Sequence, residues 1–230
     1  MRVFSLLFLT LFFVRLLSAQ PTSNSIPNYE TKKVTLTSGV EGSLLQFATL
    51  KSGNVSYQTI PRYSYFFNIG VDINFNLHNN FAPFTGFQLK NIGLITRIND
   101  SIRYKERVYT IGAPLGVKFF LDDKKFMLKA GADVALAFNY KKKYFLNDDK
   151  LYKYNEFFSN DAAYLFASVF AGVSYAGISL TGNYYLTNFY NPSFTKGVAK
   201  LMTISLGIHL DENTLHLKKK DTDTKTASIH

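Results

Sequence analysis

The chain has 230 residues, of which 47% are hydrophobic, 16% aromatic and only 18% charged, a length and composition that fit one all-β barrel domain. The absence of cysteine excludes disulfide frameworks, thiol catalysis and cysteine-ligated metal sites. The formal net charge of +10 raises the question of nucleic acid; because the sequence has no basic helix and no nucleic-acid-binding motif, we expect cationic loops near anionic lipid headgroups and no nucleic-acid partner.

The N-terminal residues 1–19 are typical of a secretory signal peptide. Arg2 precedes an apolar run over residues 3–14, and cleavage is expected after Ala19. A retained membrane anchor is the alternative, although the run is shorter than the ~20 residues that a spanning helix needs. Residues 20–33, which contain two prolines, are predicted to form a flexible leader.

The clearest strand is predicted over residues 65–77. Every odd-numbered residue from Tyr65 to Leu77 is aromatic or aliphatic, and the residues between them are mainly Asn, Gly and Asp. Such alternation indicates a strand with one apolar face and one polar face. At about 3.3 Å per residue and a tilt of about 45°, this strand would climb about 30 Å, enough to cross the apolar band of a membrane barrel.

Seven further strands follow the same alternation with less regularity. In the strand over residues 84–95 the apolar residues change parity, so a bulge is predicted near Asn91. The other strands are predicted over residues 34–47, 109–121, 126–139, 165–173, 178–186 and 202–210. Together they predict a closed antiparallel up-and-down transmembrane β-barrel of eight strands over residues 34–210.

The connections alternate between long and short, as in outer-membrane barrels with long outer loops and short periplasmic turns. The long connections are residues 48–62, 96–107, 140–161 and 188–199, and the short ones are residues 78–83, 122–125 and 176–177. This order places the N-terminus on the periplasmic side. The polar tail, residues 211–230, is then predicted to be disordered in the periplasm.

Charge decides which face of the barrel points outward. The apolar faces contain no charged residue, and one Arg or Lys near the bilayer midplane would cost about 2–4 kcal/mol. The polar faces carry too few charges for a solvated exterior, so we expect their charges to pair inside a narrow lumen. These lumen charges are Glu41, Asp72, Lys90, Lys118, Lys129 and Asp133. A soluble lipocalin-like binding protein, with the faces reversed, is the alternative.

The segment YTIGAPLGVKFF, residues 109–120, carries a family resemblance. With the strand pattern around it, it resembles the small eight-stranded OmpX-like outer-membrane barrels and, more narrowly, the PorT-like barrel family of Bacteroidetes. The resemblance implies a protein of the outer membrane, in some relatives tied to secretion or surface assembly. The chain departs from many such barrels because Leu210 is followed by a polar tail instead of ending on an aromatic residue.

Catalytic, cofactor and metal sites are not expected. The topology places His78 and His209 at the periplasmic end and the other two histidines in the tail, so no Ser-His pair is available at the outer rim. Two histidines at a rim are more often solvated than metal ligands. No phosphate-binding glycine loop is present. We therefore expect a non-enzymatic protein.

The expected function is that of a closed barrel whose loops contact other envelope components. Eight strands leave an interior just wide enough for side chains to fill. Tyr164, Phe166 and Phe170 are predicted to fill it together with Lys118 and Lys129. The charged connections 96–107 and 140–161 are the favoured contact surface. The expected partners are membrane lipid, lipopolysaccharide and other envelope or secretion proteins, and a small-solute channel is the alternative function.

Overall fold

The computed structural model describes residues 33–64, 67–121, 125–147, 149–193 and 197–211. The predicted signal peptide, nearly all of the leader and the tail beyond residue 211 lie outside these residues. The described residues form β1 (Val34–Ser52), β2 (Val55–Ile60), β3 (Phe67–Phe75), β4 (Phe81–Arg97), β5 (Ile102–Leu121), β6 (Phe126–Leu146), β7 (Asp149–Phe157), β8 (Leu165–Tyr175), β9 (Ile178–Tyr185) and β10 (Gly197–Asp211). Among them there is no helix long and apolar enough to cross a membrane.

These strands close into an antiparallel ring of eight positions. β2 and β3 share one position, because both lie between β1 and β4, and β7 and β8 both pair with the same edge of β6. The ring closes where β1 pairs with β10 over fifteen residue pairs, from Thr37–Asp211 to Ser52–Gly197. The predicted all-β up-and-down barrel of eight strands is confirmed.

Three of the four long connections were wrongly predicted as loops. β1 and β2 are joined by two residues, and β4 and β5 by four, so most of residues 48–62 and 96–107 belong to strands. β6 likewise continues to Leu146 and returns as β7, so that most of residues 140–157 form a hairpin. The charged composition suggested loops, but the outer face of a strand that projects beyond a bilayer lies in water and does not need to be apolar.

The bulge predicted near Asn91 is also wrong. The register between β4 and β5 is uniform from Gln88–Gly112 to Arg97–Arg103, with no shift at Asn91. Ile92 and Leu94 instead lie on the inward face of an unbroken strand and are almost completely buried. Register shifts occur between Ser43 and Leu45 in β1 and opposite Tyr109 and Thr110 in β6. The change of parity in the sequence therefore reflects a change in what fills the barrel, not in register.

We call the end of the barrel that carries the β3–β4 and β8–β9 turns the lower end. The outward face of the lower part of the barrel is a band of exposed apolar side chains. Leu115 is 70% exposed, Ile178 59% and Phe87 56%. Along β5 this band runs over the odd-numbered positions from Ile111 to Leu121, while Pro114 and Lys118 between them are buried. A water-soluble barrel buries such residues, so the exposed band is that of a barrel that spans a membrane.

Candidate functional site

The charged side chains predicted to face the lumen lie in the lower interior and form three ion pairs. Each pair joins strands that are well separated in sequence, and every lysine in them is at least nine-tenths buried. The Nζ-to-carboxylate distances are 3.0 Å for Lys90–Asp133, 2.8 Å for Lys118–Asp72 and 2.8 Å for Lys129–Glu41. Buried charges persist where they are paired and hydrogen-bonded, and this condition is met here.

Neighbouring polar groups complete the Lys118 and Glu41 pairs. Lys118 Nζ also donates to Asn74 Oδ1 at 2.7 Å and lies 4.6 Å from the centre of the Phe84 ring. Glu41 Oε1 accepts a hydrogen bond from Thr181 Oγ1 at 3.2 Å, and His209 Nε2 lies 3.5 Å from the same oxygen. His209 is therefore held inside the barrel, contrary to the expectation of a solvated rim histidine.

Very little space remains around these pairs. Two small cavities, both lined by Glu41, Asp72, Lys90 and Lys129 among others, have volumes of about 30 Å³ and 20 Å³. Each holds roughly one water molecule. Within the described ranges, no three His, Asp or Glu side chains are grouped closely enough to hold a metal ion.

The upper interior is filled by a cluster of apolar and aromatic side chains. Phe166 packs against Tyr185 and Phe189, with ring centres 6.3 Å and 6.1 Å apart. The fully buried members of the cluster include Leu94, Val108, Phe189 and Ala199. This cluster closes the barrel above the ion pairs.

Two connections contribute to this closure, because their residues Ala162 and Phe189 are buried in the same cluster. The backbone N–H of Ala163, between β7 and β8, donates to the Phe189 carbonyl at 2.9 Å, and the N–H of Asn191 donates to the Asp161 carbonyl at 3.2 Å. Tyr164 does not face the lumen as predicted, because it precedes β8, donates to Asn160 Oδ1 and is 45% exposed. Alternation within a strand does not extend into the connection before it.

Glu106 is a buried acid that the sequence analysis did not identify. It is 3% exposed and accepts hydrogen bonds of 2.5 Å from the hydroxyls of both Tyr140 and Tyr190, while Lys142 Nζ lies 3.3 Å away. It therefore ties β5 and β6 to the connection before β10. Glu106 and the inward-facing Lys118 are both at even-numbered positions of β5. The alternation would have identified Glu106 as inward-facing if the predicted strand had begun before residue 109.

Arg62 fills the interruption between β2 and β3. Its guanidinium donates to Gln46 Oε1 and, at 3.1 Å, to Asn91 Oδ1. Gln46 Nε2 in turn donates to the Asn91 carbonyl at 2.9 Å. The partners of the guanidinium in these contacts are neutral, so they satisfy its hydrogen bonds without compensating its charge.

The outer face of the projecting strands carries cations in neighbouring positions. Lys105 in β5 pairs with Lys143 in β6, which pairs with Lys153 in β7, and Arg107 pairs with Lys141 two residues further along β5. Side chains that are directly opposite on one sheet face lie about 4.5–5.5 Å apart at Cβ, where like charges repel. We call Lys105, Arg107, Lys141, Lys143 and Lys153 the basic ladder.

Comparison with solved structures found two bacterial proteins of similar fold. Ail, the attachment invasion locus protein of Yersinia pestis, is 10% identical with a TM-score of 0.37, over 77% of this chain and 97% of its own. Neisserial surface protein A is 14% identical with a TM-score of 0.40, over 78% and 97%. Ail in complex with the heparin analogue sucrose octasulfate matches with a TM-score of 0.33 and 10% identity, over 77% and 97%. No protein-family model and no curated protein matches the sequence.

Proposed function

We propose that this chain is a closed barrel of the bacterial outer membrane that acts as a structural or interaction protein through its projecting strands. The observation that carries the proposal is that side chains fill the interior at two levels, while the outward face of the barrel is an apolar band. The lower level holds three ion pairs and the upper level an aromatic cluster. A barrel built in this way has no free lumen and must act through its ends.

The small-solute channel is the weaker alternative. Porins with an aqueous channel have 16–18 strands, whereas eight strands enclose an interior that side chains can fill. The water-sized cavities around Glu41 and Lys90 are too small for a solute. The lipocalin-like alternative would require the apolar side chains to face inward, yet Leu115 and Ile208 are more than 60% exposed.

The two ends of the barrel differ in their connections, and this difference indicates the orientation of the barrel in the membrane. β3–β4 and β8–β9 are joined by short turns at the end where both described termini lie, and the three long hairpins project from the other end. Outer-membrane barrels put short turns in the periplasm. The proposed signal peptide, residues 1–19, agrees with export. We therefore place the hairpins at the cell surface.

The hairpin of β6 and β7 offers a surface for other envelope components. Leu151, Tyr152, Phe157 and Phe158 are each more than half exposed in or beside β7. Exposed aromatic side chains that lie next to one another are typical of a contact surface. An accessory role in secretion or surface assembly, as the PorT-like resemblance implies, is the narrower form of this proposal, with lipopolysaccharide and envelope proteins as partners. We assign no catalytic role or cofactor.

Surface labelling tests the orientation, because the chain has no cysteine of its own. Asp100→Cys lies in the β4–β5 hairpin and Asn79→Cys in the β3–β4 turn, and both positions are exposed. A membrane-impermeant maleimide should label Asp100→Cys on intact cells and should label Asn79→Cys only after the cells are lysed. The opposite pattern would overturn the orientation.

Conductance tests the closed interior. The purified wild-type barrel should give no steady ion-sized current in planar bilayers, while a porin inserted under the same conditions provides the positive control. Gel mobility before and after boiling shows that the inserted protein is folded. Steady currents from the folded barrel would reject the closed-interior proposal and favour the channel.

A further inference from the structure

A cationic cleft opens on the outer face of the barrel where the basic ladder meets the interruption between β2 and β3. It has a volume of about 260 Å³. Five of its lining residues are cations: Arg62, Lys105, Arg107, Lys141 and Lys143. The remaining lining residues are Tyr63, Ser64 and Glu106. The volume accommodates a phosphate group together with ordered water.

The cleft has an unbalanced positive charge. Its one acid, Glu106, directs its carboxylate to Tyr140 and Tyr190 in the interior. Among the described residues, no carboxylate forms an ion pair with Arg107, Lys141 or Lys143. Arg107 stacks 5.4 Å from the Tyr109 ring and Lys105 lies 4.9 Å from the Phe145 ring, contacts that hold the cations in place without neutralising them.

Cations lie directly opposite one another within this group, since Lys105 is paired with Lys143 and Arg107 with Lys141. Burial and, after it, the positive charge of Arg107 lower the pKa of Lys141 and of Lys143 below the ordinary lysine value. Like charges directly opposite in a sheet are destabilising. This repulsion lowers the stability of the barrel when no anion is bound, and an anion that binds between the cations reduces it.

The height of the cleft indicates where that anion comes from. Arg107 lies two residues above Tyr109, and Tyr109 lies two residues above Ile111, where the exposed apolar band of β5 begins. Tyrosine marks the interface of a membrane barrel, so the next outward-facing position is at headgroup level. Phosphates anchored in the outer leaflet are held at this height, whereas a soluble polyanion would reach it only past the headgroups.

We propose that this cleft binds a phosphate group of the lipopolysaccharide headgroup, with Arg107, Lys141 and Lys143 as the principal contacts. This inference rests on the proposed function, because the cleft meets the outer leaflet only if the hairpins lie at the cell surface. Arg107 is suited to a bidentate contact with phosphate and the lysines to point-charge contacts.

Native mass spectrometry of the detergent-folded full chain tests the proposal. The probes are diphosphoryl lipid A, the same lipid with both phosphates removed, and inorganic polyphosphate. The wild type should bind the diphosphoryl form at least about tenfold more tightly than the dephosphorylated form, equivalent to about 1.4 kcal/mol. The triple variant Arg107→Gln, Lys141→Gln, Lys143→Gln should lose this preference.

The matched control is Lys33→Gln, Lys51→Gln, Lys125→Gln. It removes the same charge from exposed lysines outside the cleft and should keep the preference. Gel mobility before and after boiling reports folding; if the triple variant does not fold, Lys141→Gln alone is compared with Lys51→Gln alone. The same preference in cleft and control variants, whether kept or lost, would overturn the proposal.

Two further outcomes separate the possible causes of failure. Polyphosphate that binds the cleft more tightly than diphosphoryl lipid A does would overturn the membrane source of the phosphate. A cleft-dependent preference for diphosphoryl lipid A in vitro, with Asp100→Cys labelled only in lysed cells, would leave the site standing and reject the orientation. If Asp100→Cys is labelled on intact cells but the preference for diphosphoryl lipid A does not depend on the cleft, the site is rejected and the orientation stands.

Discussion

Replacement of Lys118 by methionine should strongly destabilise the barrel. The side chain of Lys118 is 1% exposed, and its Nζ lies 2.8 Å from Asp72 Oδ2 and 2.7 Å from Asn74 Oδ1. Methionine fills similar space but leaves the Asp72 carboxylate, itself 8% exposed, without its cation. Breaking a buried pair from one side costs about 3–5 kcal/mol, and we expect the free energy of unfolding to fall by that amount.

The double variant Asp72→Asn, Lys118→Met removes both charges of the ion pair and tests whether the loss in Lys118→Met comes from the unpaired carboxylate. Because no uncompensated charge remains, it should lie within about 2 kcal/mol of the wild type. The assay is urea unfolding and refolding in phospholipid vesicles, followed by circular dichroism. Lys33→Met, at an exposed position, is the control and should change stability by less than about 0.5 kcal/mol. A loss below about 1 kcal/mol for Lys118→Met would refute the reasoning, since a buried unpaired carboxylate costs more.

Two further predictions concern the outer band and the closure. In the same vesicle assay, Leu115→Arg, in the middle of the band, should cost about 2–4 kcal/mol and Leu121→Arg, at its edge, about 0–1 kcal/mol; equal costs would argue against a bilayer around the band. Glu106→Gln should lower stability by about 1–3 kcal/mol and speed proteolysis within residues 186–193, because glutamine cannot reproduce two charge-assisted acceptors. The exposed Glu156→Gln is its control, and unchanged proteolysis of Glu106→Gln would contradict the closure.

The sequence predicts the fold well because membrane strands leave a simple pattern. Alternation through β3 and β5 places Asp72 and Lys118 on one face and Val71 and Leu115 on the other, and any change in register would put a charge in lipid. The penalty for such a change is large enough to constrain almost every residue of the band. The fold, and which side chains face the lipid or the interior, can therefore be predicted from a single sequence.

The projecting strands and the closure are harder to predict because that penalty is absent there. Charged residues such as Lys105 and Lys143 occupy strands whose outer face meets water, and composition alone did not distinguish these strands from loops. Glu106 was missed for this reason. Ile92 and Leu94 face inward into a buried cluster that also contains Phe189, and no local pattern encodes a cluster that gathers distant parts of the chain.

The most direct test of the account asks which side chains touch lipid. The chain has no tryptophan, so Leu115→Trp and Phe170→Trp each introduce a single reporter, the first on the outer band and the second at a position that is 8% exposed inside the barrel. In vesicles of lipids brominated on their acyl chains, the fluorescence of Leu115→Trp should be strongly quenched and that of Phe170→Trp should change little. Strong quenching of Phe170→Trp with Leu115→Trp unaffected would contradict the account.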